Sequence, residues 1–89
     1  MTETYKRTVE LLEADINDEL VALEPNMGSC FGFNSVAKDV WRKLAEPRTF
    51  DELRTELLSE YEVGEEECAR ELGELLADME RVKLIERTA

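Results

Sequence analysis

The sequence predicts an α+β domain, winged-helix-like, in which a three-stranded antiparallel sheet is followed by three helices. Turn-forming clusters break residues 8 to 34 into runs of strand length, helical periodicity begins only after Asn34, and Thr49-Phe50-Asp51-Glu52 spells a helix start. With 89 residues the chain is read as a single domain over 1–89, large enough for one core.

In the first part, Asp15, Asn17 and Asp18 mark one turn, and Pro25, Asn26, Gly28 and Ser29 mark another. Around them lie Val9 to Leu12, Leu20 to Leu23 and Cys30 to Phe33, short runs rich in residues that suit a pleated, half-buried surface. They are expected to pair as a meander, although Val9 to Leu12 also reads as an irregular arm.

Helix one follows Asn34 and Ser35, either of which can cap it, with Val36, Val40, Trp41 and Leu44 on one stripe. It stops before Pro47, since the residue preceding a proline is pushed out of helical conformation. In helix two the Thr49 hydroxyl and the Glu52 carboxylate can each accept the other's backbone amide, and Phe50, Leu53, Leu57, Leu58 and Tyr61 form the stripe. Helix three opens on Glu65, Glu66 and Glu67, where the helix dipole favours negative charge, and carries Cys68, Leu72, Leu75, Leu76, Met79 and Val82.

The charge balance is one-sided: 11 Lys and Arg against 22 Asp and Glu leave a net charge of −11, which repels the phosphates of nucleic acid and of anionic membranes. The third helix would be expelled from a DNA groove, because its Glu and Asp outnumber Arg70 and Arg81. Histidine is absent, which removes the commonest general base and the catalytic triads built on it. No catalytic residue, metal site or cofactor site is expected. Consecutive helical positions such as Glu65 to Glu67 point apart and cannot enclose one ion. Cys30 and Cys68 are read as reduced thiols, Cys68 as core or groove lining, and Trp41 and Tyr61 as packing anchors. No apolar run reaches membrane-span length and the amino-terminal residues lack a signal-peptide pattern, so a cytoplasmic protein is expected.

The third strand is the most informative segment. In a simple meander Cys30-Phe31-Gly32-Phe33 lies at the sheet edge, and it has no Lys or Pro to protect that edge from another strand. Gly32 either marks a bulge or close internal packing, or lets another backbone approach.

Taken together in order and spacing, several pieces are similar to the PqqD-like family of RiPP recognition elements over roughly residues 19 to 86. They are the hairpin, Phe31-Gly32-Phe33-Asn34, Val36 to Trp41 with Leu44 and Pro47, Thr49 to Leu53, Tyr61-Glu62-Val63, Cys68 to Leu76 and Leu84-Ile85. The resemblance implies a non-catalytic domain that holds the leader segment of a ribosomally made precursor peptide and presents it to modifying enzymes. The leader would add to the third strand and lie beside the third helix. Carried over by position, Cys30, Phe31, Gly32, Phe33 and Asn34 pair with the leader, while Cys68, Glu71, Leu72 and Leu75 line the groove. The Cys68 region looks like free-standing members from lasso-peptide biosynthesis, which implies a leader peptidase and a cyclase as partners; a quinone-cofactor branch would instead pair with a radical enzyme. An acidic module binding a basic partner protein is the alternative. Where many relatives have glycine before the final Leu-Ile, this chain has Lys83, so the last helix runs on or ends by another cap.

Overall fold

The computed structural model describes residues 3–26 and 28–88; Met1, Thr2, Met27 and Ala89, and with them the middle of the predicted Pro25-to-Ser29 turn, lie outside the described residues. In chain order the elements are β1 (Thr4–Arg7), β2 (Leu12–Ile16), β3 (Glu19–Glu24), β4 (Ser29–Phe33), α1 (Ser35–Lys43), β5 (Arg48–Thr49), α2 (Phe50–Glu60), α3 (Glu65–Arg81) and β6 (Ile85–Thr88). The strands form two antiparallel sheets, β2-β3-β4 and β5-β1-β6. The class is α+β as expected, with the winged-helix likeness a loose one.

The meander is present, but its first strand is displaced: Leu12–Ile16 pairs with β3, and only Leu12 is shared with the expected run. Asp15, read as a turn former, sits inside the strand. The loop is only Asn17-Asp18, with Asn17 in the left-handed region at φ 59°, a conformation asparagine tolerates. Val9 and Leu11 form an arm packed on the core. The second sheet was not expected. Its strands are short and polar, and β1 meets β6 across nearly the whole chain, with Thr4 opposite Thr88 and Arg7 opposite Ile85; such pairing has no local signature.

Both helix starts follow the sequence reading. The Asn34 side chain accepts the Ala37 amide at 2.9 Å, and the reciprocal Thr49–Glu52 box is complete. Helix α3 ends before Lys83. The Leu84 amide donates to the Met79 carbonyl at 2.9 Å and the Lys83 amide to Glu80 at 3.0 Å, with Lys83 at φ 65° in the position glycine usually takes.

The helical stripes and the inner face of the meander make one core of Leu20, Ala22, Phe33, Val40, Trp41, Leu53, Leu72 and Leu76, among others. Val36 and Val82, placed on the stripes by periodicity, are exposed instead: Val36 stands in the first turn of α1 and Val82 caps the end of α3. Trp41 anchors this core: its ring lies 5.8 Å from that of Phe33, and the Arg7 guanidinium sits 4.2 Å above its centroid.

Candidate functional site

Strand β4 is bonded to β3 on one side, and no described strand covers its other edge. The register runs unbroken from Leu20 opposite Phe33 to Glu24 opposite Ser29, so there is no bulge at Gly32. A Cβ built on Gly32 meets nothing within 4 Å, so internal packing does not require the glycine either. Both internal readings of that residue are therefore removed. The side chains are unequally available: Phe33 is buried against Trp41, Asn34 is used as the α1 cap, Phe31 packs partly on the core, and Cys30 is exposed. What β4 offers outward is mainly its backbone.

On α3, Cys68, Glu71, Leu72 and Leu75 are spaced three and four apart and therefore share one face. They are brought together along a groove of about 210 Å³. Its other walls are Val36 from α1, Leu57 from α2, and Tyr61, Glu62 and Val63 from the segment that joins α2 to α3. Sequence reasoning did not assign these five to a site. Tyr61 and Leu57 read as core because they fall on the helix-two stripe; the available signal was the Tyr61-Glu62-Val63 tripeptide itself. The strand residues Cys30 to Asn34 do not line the groove, but Val36, two residues beyond Asn34, does.

The groove is apolar along its floor, with the exposed carboxylates Glu62 and Glu71 at its rim. Burial pushes the Cys68 thiol up, which favours its neutral form over the thiolate. The Tyr61 hydroxyl donates to the Asp39 carboxylate, which ties this wall of the groove to α1 and, with burial, pushes the phenol up to about 12. A wider concavity of about 740 Å³ beside β6 is lined largely by charged groups, of which Arg87 is paired with Glu3 and Glu80. Among the described residues no group of three or more His, Cys, Asp or Glu is placed to hold a metal ion, and no helix is long and apolar enough to cross a membrane.

A family model described as coenzyme PQQ synthesis protein D (PqqD) matches residues 19–85. No curated protein matches the chain. A solved structure described as TbiB1 in complex with the TbiA(beta) leader peptide superposes with a TM-score of 0.78 at 28% identity, covering 91% of this chain and 94% of that one.

Proposed function

Since this chain belongs to the PqqD family, we propose that it binds the leader segment of a ribosomally synthesised precursor peptide by β-strand addition to β4 and presents it to modifying enzymes. The observation that carries the proposal is the juxtaposition of an open strand edge with an apolar groove reached through the next helix. Main-chain bonds along Cys30 to Asn34 supply affinity, and alternate leader side chains enter the groove over Cys68, Leu72 and Leu75. Glu71 at the rim receives a Lys or Arg of the leader, and the net charge of −11 steers basic segments toward it. A leader bound to TbiB1, a chain similar over most of its length, supports the same role here.

The domain acts by binding rather than catalysis: its sequence holds no histidine, and burial of Cys68 disfavours its thiolate. We assign it to the cytoplasm, in keeping with two free thiols. We place it in lasso-peptide biosynthesis, with a leader peptidase and a cyclase as enzyme partners, on the resemblance of the Cys68-to-Leu76 segment. The quinone-cofactor branch, whose partner is a radical enzyme, is the second assignment, because that is the branch the matching family is described by.

The test is titration with the leader of a precursor encoded beside the gene, followed by a scan of N-methylated leader backbones. Each blocked bond removes about 1 kcal/mol, roughly fivefold in affinity. Losses at every second position support strand addition; uniform losses, or none, refute it.

A further inference from the structure

The outer face of the β2-β3-β4 sheet has the reverse of the usual pattern. Glu13 and Asp15 of β2 point toward α1, where Glu13 accepts the Trp41 indole N–H and Asp15 pairs with Arg42 and Lys38. Leu12, Ala14 and Ile16 alternate with them and therefore face outward. Leu12 is 61% exposed, Ile16 55% and Val21 of β3 40%. A slip of one residue would bury this set, so ion pairs and a hydrogen bond to α1 hold an apolar set on the surface.

The register arranges this face in rows that end at β4: Leu12, Leu23 and Cys30 in one, Ala14, Val21 and Gly32 in the next. A strand added to β4 continues the rows, and the half of its side chains not directed at the groove lies beside Cys30 and Gly32 on this same outer surface.

Resting on the leader-binding function above, we propose that this face, completed by the bound leader, is where a leader-processing enzyme docks, through an apolar surface framed by Lys or Arg. Charge selects that occupant. Residues 8 to 37 hold no Lys or Arg; with Glu13 and Asp15 turned to α1 and Glu24 buried, Glu10, Asp18 and Glu19 remain as the exposed carboxylates in and beside these strands. A second copy would set like charge against like charge. The face is also too small for a dimer: its strands span roughly 14 Å by 17 Å, on the order of 240 Å², where a stable interface takes about 800 Å² from each partner. It suffices as one part of a composite surface that the leader enlarges.

The experiment compares wild type with Ile16→Ser/Val21→Ser and with Leu12→Asn, measuring leader affinity, affinity for the purified processing enzyme encoded beside the gene, and sedimentation. All these positions are exposed, and none belongs to the leader site. The expected result is leader affinity within twofold of wild type, enzyme affinity reduced at least tenfold in both variants, and a monomer throughout. Unchanged enzyme affinity in variants that still bind leader overturns the docking face alone. A wild-type dimer broken by the substitutions overturns it in favour of a second copy. A wild type that binds no leader overturns the function itself and this face with it.

Discussion

Glu13 Oε2 accepts the indole N–H of Trp41 at 3.0 Å, joining an edge strand of the meander to the largest fully buried side chain. The bond serves two ends at once. It satisfies a polar group inside the core, and it fixes which face of β2 turns to α1.

Glu13→Ala leaves that indole without its partner, and unfolding by urea should show a loss of about 1–2 kcal/mol. Glu13→Gln keeps an acceptor and should lose less than half as much. Equal losses in the two variants would mean that the bond itself contributes little.

Lys83→Gly should stabilise the domain. Lys83 is held at φ 65° by the two bonds that close α3, and a side chain there costs about 1 kcal/mol that glycine does not. For a domain of this size that is about 4–8 °C in Tm. A Tm unchanged or lowered would show that the Lys83 side chain compensates through contacts of its own.

The second and third strands of the meander, the three helices and the caps were legible because each rests on local chemistry: apolar spacing, Asn34 before Ala37, Thr49 before Glu52. The β5-β1-β6 sheet was not, since polar strands such as Thr4–Arg7 gain their stability only from partners far along the chain. Likewise the apolar alternation at Leu12, Ala14 and Ile16 resembles a core face, and only the bonds from Glu13 and Asp15 to α1 turn it outward. The α3 side of the site was visible as one helical face. Val36 and Leu57 were not, because what separates groove from core at those positions is how the helices pack.

Tyr61 gives the fold an alkaline limit. Its hydrogen bond to Asp39, then burial and the nearby negative charge, raise the phenol to about 12, above the value near 10 expected in the unfolded chain. The neutral phenol is thus favoured by folding, and the stability it contributes is whole below pH 10 and lost as pH climbs through about 12. Ultraviolet titration should show a late-ionising tyrosine that Tyr61→Phe removes and that Asp39→Ala moves toward 10. A Tyr61 that ionises near 10 in the folded wild type would break the link between this wall of the groove and α1.

Leu75 lines the groove while only partly buried. Leu75→Asp should therefore weaken leader binding by about 2 kcal/mol or more, roughly thirtyfold, with a smaller loss of stability. A folded variant with wild-type affinity would move the leader off α3.

The most direct test of strand addition is amide hydrogen exchange across Ser29–Phe33 with and without saturating leader. Amides that point to the open edge should be protected when leader is bound, alternating with amides already bonded to β3 and unaffected by it. Exchange along β4 that stays the same while calorimetry shows the leader bound would contradict the account.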